Sequence, residues 1–316
     1  GDEAIEQYLN GGISELSDGY LMKDMEKSIS ILKEKIENHK KIRVIGDYDI
    51  DGVNATYILL EGLEKLGAEV DSDIPDRMKD GYGLNMDLIE RAVKDGADTI
   101  ITCDNGIAAK EEIAYAKSLG MTVIVTDHHE VPFEESEGEK YYILPPADAV
   151  IDPKQADCSY PFKGLCGAAV AYQLMVKLIG VFGRSLDELS YLIENVAIAT
   201  VGDVMDLTGE NRIFVKEGLL RLRNTKNPGL KALIECAGLD RNHIGFVIGP
   251  CLNAGGRLDT AKRALALLRA KTEQEAKVLA EDLKALNDSR KDMTAKAVEQ
   301  AAELVENQPE GKNKVL

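Results

Sequence analysis

The sequence predicts an α/β protein: a mostly parallel, doubly wound sheet, followed by a helical region and a long connecting helix. Three observations carry this. Between Lys41 and Asp152, short apolar runs alternate with segments of helical period. After Pro161 the strand-like runs give way to apolar residues spaced by three and four. From Thr272 to Asn307 the chain is highly charged and contains neither Gly nor Pro. Strands alternating with helices indicate a parallel sheet, because parallel neighbours need a crossover long enough to hold a helix.

Residues 1–40 form an N-terminal helical segment, peripheral to the α/β domain, with apolar residues at helical spacing from Met25 to Ile36. Residues 41–160 are the α/β domain. Its strands are expected near 42–47, 68–74, 98–103, 121–126 and 148–152, and its helices near 53–66, 85–95 and 108–119. The runs Thr99-Ile-Ile-Thr-Cys103 and Thr122-Val-Ile-Val-Thr126 are rich in β-branched residues, which suit a pleated, buried surface. Residues 161–270 complete the domain with helices at 164–179, 186–201 and 212–223, and two more at 242–252 and 258–269. Residues 271–316 hold the long helix, whose Ala276, Leu279, Leu283 and Leu286 define one packing face. Such a helix suits a spacer between domains. The tail 311–316 reads as a loop entering a strand, which makes the chain the N-terminal part of a longer protein.

At 316 residues there is enough chain for a large core and for two domains. The composition, 44% hydrophobic and 29% charged, is that of an ordinary soluble globular protein. No run approaches the roughly 18 apolar residues of a membrane helix, and no signal peptide opens the chain. A cytoplasmic protein without membrane contact is expected, and the start at Gly1-Asp2 suggests processing. Five cysteines (Cys103, Cys158, Cys166, Cys236 and Cys251) show no Cys-x-x-Cys spacing and read as buried thiols in a reducing compartment. A net charge of −17 and a pI near 4.8 argue against a broad electrostatic grip on nucleic acid. A local basic groove is still compatible, because net charge averages over surfaces.

The chemistry collects at the strand ends. Arg43-Val-Ile-Gly-Asp-Tyr-Asp-Ile-Asp-Gly52 closes an apolar run with Asp47, Asp49 and Asp51. Two readings fit that stretch alone. One is a divalent-metal site, since close-packed carboxylates need a cation. The other is a solvated acidic turn with Asp51 as a helix N-cap. The next two strands end alike, one in Asp104-Asn-Gly106 and one in Asp127-His128-His129. A parallel sheet brings such ends to one edge, where open α/β sheets hold their ligands. Singly, Asp104 is a turn residue and His129 a loop histidine; together they favour a site. Asp203, just after an apolar helix that ends at Gly202, is a fourth contribution that alone would read as a cap.

Asp47-Tyr-Asp-Ile-Asp-Gly52, Cys103-Asp-Asn-Gly106, Asp127-His-His129 and Thr200-Val-Gly-Asp203 resemble the four motifs of the DHH phosphoesterase superfamily. Ile74-Pro-Asp-Arg-Met-Lys-Asp-Gly-Tyr-Gly-Leu84 and Gly249-Pro-Cys-Leu-Asn-Ala-Gly-Gly-Arg-Leu258 resemble segments of its single-strand-specific 5′→3′ DNA exonucleases. The likeness runs from residue 20 or so to the end. It implies a DHH-type domain in which Asp49, Asp51, Asp104, His128 and Asp203 hold manganese or magnesium, two ions sharing Asp104. It further implies that His129 faces the scissile phosphate and that Asp127 orients the histidine pair from behind. Asp47 would stand behind the ligands or on the substrate side. Arg257 and Asn253, with Arg77 as a weaker candidate, would contact phosphates of single-stranded DNA in recombination and repair. A further domain would close over the strand.

The chemistry agrees with that likeness. Phosphodiester hydrolysis needs a nucleophilic water and relief of charge on the phosphoryl oxygens, and two metals about 3.5–4 Å apart provide both. Carboxylates with one imidazole suit manganese, with magnesium as the abundant competitor; zinc is disfavoured for want of a cysteine cluster. Two positions depart from the pattern. Ile45 stands where many superfamily members have a histidine ligand, though several of the exonucleases also lack it, so one ion is expected to be more weakly held. Cys251 stands where many of the exonucleases have an arginine, and no role is assigned to it.

Other features read plainly. Asp148 and Asp152-Pro153 end a strand and shape a turn, with contact to the site as the lesser reading. His39 and His243 are isolated surface or capping residues, and Tyr82 either stacks on a base or anchors its loop. Gly164-Leu-Cys-Gly-Ala-Ala-Val-Ala lacks a Gly-x-Gly-x-x-Gly order, so its small residues serve close helix packing. Two rival functions stand beside the exonuclease: a phosphoesterase of short oligonucleotides or cyclic dinucleotides, and a non-catalytic replication or repair scaffold. The 77–84 and 253–257 segments count against the first, and the nearly complete acidic and histidine set counts against the second.

Overall fold

A computed structural model of the chain describes residues 8–76, 81, 83–136, 138–236, 248–258 and 261–306, with 254–258 and 306 described by backbone alone. The strands are β1 (Ile42–Gly46), β2 (Val70–Asp73), β3 (Thr99–Cys103), β4 (Thr122–Thr126), β5 (Phe133–Ser136), β6 (Glu139–Tyr142) and β7 (Ala149–Ile151). Five of them make one parallel sheet in the order β2-β1-β3-β4-β7. Strand order reverses beside β1, which opens a crevice between the C-terminal ends of β1 and β3.

The helices are α1 (Met25–Glu37), α2 (Ile50–Lys65), α3 (Met86–Lys94), α4 (Lys110–Ser118), α5 (Gly167–Val181) and α6 (Ile193–Gly202). They continue with α7 (Gly209–Leu222), α8 (Pro228–Cys236), α9 (Gly249–Leu258), α10 (Lys262–Arg269) and α11 (Glu273–Glu306). Side chains alternate along each strand, and both sheet faces are covered. Val44, Ile101, Cys103, Ile124 and Ile151 join the core built with α1, α2 and α5. Ile45, Ile100, Val123, Val125 and Val150 join a second core with α3 and α4. This two-sided burial is why the strands read as continuous apolar runs.

α2 is the central helix, buried along nearly its whole length between β1, α5 and α6. The N-terminal segment is less peripheral than expected: Met25 and Leu32 of α1 are fully buried, and α1 packs on β7 and α5. His39, in the left-handed region at φ 51°, stands just past the end of α1.

The region expected as one helix over 186–201 is a 3₁₀ helix, Leu186–Leu192, running into α6. Leu186, Leu189 and Leu192 repeat every three residues, which is the 3₁₀ period. α8 was not anticipated; Pro228 takes its first position and Asn227 accepts from the Leu230 N–H at 3.0 Å. The β5–β6 hairpin was also missed, since its residues are exposed on both faces and lack apolar alternation. Of the helix expected over 242–252, residues 242–247 lie outside the described residues. The first half of α11 docks Ala276, Ala280 and Leu283 against α8, α9 and α10, and from Lys291 to Val305 every residue is exposed. Among the described residues no helix is long and apolar enough to cross a membrane. The five cysteines are free thiols.

Candidate metal centre

Strand register sets the site. Gly46, Cys103, Thr126 and Ile151 stand side by side across β1, β3, β4 and β7. The next residues, Asp47, Asp104, Asp127 and Asp152, therefore leave the sheet at one level, and all four are buried. Asp104 donates its N–H to Thr126 O at 3.1 Å and Asp127 to Ile151 O at 3.0 Å, so the ladder fixes their positions. Asp104 then turns through the left-handed region at φ 61°. Aspartate and asparagine tolerate that region better than most side chains.

The turn from β1 into α2 adds two more carboxylates. Asp49, not Asp51, is the N-cap: its side chain accepts from Asp51 N–H and Gly52 N–H at 2.9 and 3.0 Å. Asp51 is fully buried and reaches the start of α5, accepting from Gly167 N–H at 2.6 Å and Ala168 N–H at 2.8 Å. The positive end of that helix favours the charge. Asp203 caps the C-terminal end of α6. A buried amide pair, Asn195 Nδ2 donating to Asn54 Oδ1 at 2.9 Å, ties α6 to α2. Asn54 and Asn195 were not singled out in the sequence, because neither carries chemistry by itself.

These elements bring donor atoms together in overlapping sets. Asp47, Asp49 and Asp104 place one atom each within 4.8 Å of one another, and so do Asp51, His128 and Asp203, and Asp104, His128 and His129. His128 Nε2 lies 3.0 Å from Asp104 Oδ1, 3.5 Å from Asp51 Oδ2 and 3.9 Å from Asp203 Oδ2. Every ligand that the resemblance implied is in this group, and Asp47 and His129 join it as further donors. The backbone of Gly83, in the segment after Arg77, favours the ionised form of Asp47.

The electrostatics are those of a site built for cations. Burial, then Asp49, pushes the Asp47 carboxyl up to about 7. Burial, then Asp51, does the same to Asp203, to about 7. Burial, then Asp51 and Asp49, holds Asp104 well above the carboxylate range, and burial raises Asp51 against the pull of His128. Among the described residues, no lysine or arginine pairs with Asp47, Asp49, Asp51 or Asp203. Asp47 Oδ1 is buried without a hydrogen-bond partner. His128 is held below its ordinary pKa, burial outweighing Asp51, which favours the neutral, ligating imidazole. Oxygen donors with one imidazole fit manganese or magnesium.

Asp127 does a different job. Its Oδ1 accepts from the His128 and His129 N–H groups and meets His129 Nδ1 at 2.7 Å, while Oδ2 accepts from Ile107 N–H at 2.9 Å. It thus fixes both histidine backbones but only the His129 ring. The hydrogen bond to Asp127 pushes His129 up to about 9. The sign is that of a stabilising ion pair: its contribution is full below about pH 6.5 and is lost as pH rises through the folded value. In metal-free protein, Asp127→Asn returns the His129 titration toward the ordinary histidine range. Proton NMR of the ring reads this, and an unmoved titration would assign the shift to another group.

Asn253 is half-buried on α9, which packs against both α2 and α6, the helices that bracket the cluster. Arg77 and Tyr82 lie outside the described residues, as does the side chain of Arg257. Asp152, expected to shape a turn with site contact as the lesser reading, stands by register in the carboxylate row, where burial pushes it up to about 8.

A family model described as DHH family, N-terminal domain, matches residues 41–200. The crystal structure of exonuclease RecJ bound to manganese superposes with a TM-score of 0.79 at 33% identity, over 88% of this chain and 69% of that one. The chain belongs to the DHH family, in its RecJ branch. The single-stranded-DNA-specific exonuclease RecJ of Bacillus subtilis is 40% identical over 97% of this chain and 38% of its own length. The Escherichia coli protein of the same name is 39% identical over 85% of this chain and 48% of its own. The RecJ-like chain described here thus spans less than half the length of both curated relatives.

Proposed function

We propose that this chain is the catalytic part of a manganese- or magnesium-dependent exonuclease that hydrolyses phosphodiester bonds of single-stranded DNA from the 5′ end. The observation that carries it is the overlap of donor sets through Asp104 and His128 at one sheet edge. The relatives' names supply the substrate class. Asp49, Asp51, Asp104, His128 and Asp203 would hold two ions, with Asp47 as an additional oxygen. Bound there, the ions would supply an activated water and a clamp on the phosphoryl oxygens. His129, kept protonated by Asp127, brings positive charge to the scissile phosphate. Asn253, Arg257 and Arg77 position the strand. Ile45 is fully buried and points into the core under α3 and α4, so β1 offers no imidazole there, and one ion is held more weakly. The setting is cytoplasmic DNA recombination and repair.

The test is hydrolysis of single-stranded oligonucleotides labelled at either end, in manganese and with a chelator. Expected is early release of labelled mononucleotide from the 5′-labelled strand, abolished by chelation. Early release from the 3′ label would reverse the polarity. Activity confined to dinucleotides or cyclic dinucleotides would replace the exonuclease with a small-substrate phosphoesterase.

A further inference from the structure

We propose that Lys154 is a binding residue for a strand phosphate at the metal edge, moving to it from Glu130 as the strand enters. The inference rests on the exonuclease reading above and adds a residue that the family motifs leave out.

The backbone at Lys154 is fixed from below. Asp152, fully buried in the carboxylate row, accepts from Lys154 N–H at 2.7 Å. Gln155, also buried, donates its side-chain amide to Val150 O at 2.8 Å. The turn after β7 therefore delivers Lys154 to the edge at which β1, β3 and β4 deliver their carboxylates. Its ammonium lies 3.0 Å from Oε1 of Glu130, the residue after His128-His129. The Lys154 side chain is 24% exposed, whereas Glu130 is 87% exposed. An ion pair with one partner almost wholly in water is weak and readily exchanged. The positive charge reaches the ligand group, since Lys154 acts on both His128 and Asp203.

The need for such a cation follows from charge. The chain carries −17 overall, and a polyanion must approach an edge crowded with aspartates. A phosphate can displace the Glu130 carboxylate and form a charge-assisted contact with the same ammonium. The plain alternative is a brace, in which Lys154 and Glu130 merely pin β7 to the histidine segment. A brace needs both partners equally; a phosphate contact needs only the lysine.

Binding of a phosphorothioate-linked single-stranded oligothymidylate, which resists hydrolysis, separates the two. Affinity is measured against salt in manganese for the unaltered protein, Lys154→Gln, Lys154→Arg and Glu130→Gln, beside hydrolysis of the ordinary strand. Expected for Lys154→Gln is about tenfold weaker binding at low salt and a log–log salt slope shallower by about 0.7, the value of one single-strand phosphate contact. Lys154→Arg retains the slope, and Glu130→Gln binds as tightly as the unaltered protein or more so. Equal losses in Lys154→Gln and Glu130→Gln, or an unchanged slope in Lys154→Gln, overturn the proposal while strand hydrolysis by the unaltered protein leaves the exonuclease reading standing. If the unaltered protein neither binds nor cleaves the strand, both fall.

Discussion

Asp104→Asn is expected to lower kcat/KM for strand hydrolysis by about a thousandfold or more, since it removes a metal-ligating charge. Asp104 belongs to two of the overlapping donor sets, so its loss weakens both sides of the centre. Asparagine is the right substitution because it accepts the left-handed backbone at this position, so that folding and chemistry are separated. Without metal the sign of the stability effect reverses. The folded Asp104 carboxyl is held far above its ordinary value by burial and by Asp51 and Asp49. Its ionised form therefore destabilises the fold at neutral pH, and the amide relieves that. The variant should melt higher than the unaltered protein in chelator, by about 2–4 °C per kcal/mol relieved. Manganese at 100 times its dissociation constant stabilises the unaltered protein by about 2.7 kcal/mol, and the variant gains less. The two melting temperatures thus change order on adding manganese. A variant that melts lower in both conditions would make Asp104 a structural turn residue.

The parts of the site that could be read from the chain are those whose chemistry is local in sequence. Asp47, Asp104 and Asp127 each follow a β-branched run, and a parallel sheet collects such ends whatever the tertiary detail. What stayed hidden depends on contacts between distant segments. Asp51 was legible as a ligand, but not its hold on the start of α5, because its partners there, Gly167 and Ala168, lie 116 and 117 residues away. Asp152 looked like a turn residue because only the register of β4 with β7 puts it in line with Asp127. The Asn54–Asn195 pair spans 141 residues, and neither asparagine suggests the other. Lys154 is one of many lysines until the fold sets it beside Glu130. Local errors had local causes: a three-residue leucine repeat taken for an α-helix, and an exposed hairpin without alternating apolar residues.

Gly167→Ala tests whether the helix start and the carboxylate row form one unit. Gly167 donates its N–H to Asp51 at 2.6 Å while its Cα faces Asp104. A Cβ there would lie 2.7 Å from Asp104 Cβ and 3.0 Å from Asp104 Cα. Neither neighbour can give way by rotating a flexible side chain, because Asp104 is held by the ladder bond to Thr126 O. Either α5 retreats and lengthens its hydrogen bonds to Asp51, or Asp104 leaves its place beside His128. Overpacking of this kind costs about 1–3 kcal/mol in stability. A displacement near 1 Å at reacting groups costs about a hundredfold in rate. The alanine variant should therefore fold with a modestly lower melting temperature, bind manganese more weakly and lose about two orders of magnitude in kcat. Gly180, on the same helix, has open space where its Cβ would go. Gly180→Ala leaves both manganese affinity and kcat unchanged, which separates an effect at the centre from one on the helix as a whole. Full activity in Gly167→Ala would mean that Asp51 and Asp104 are not held to each other through α5.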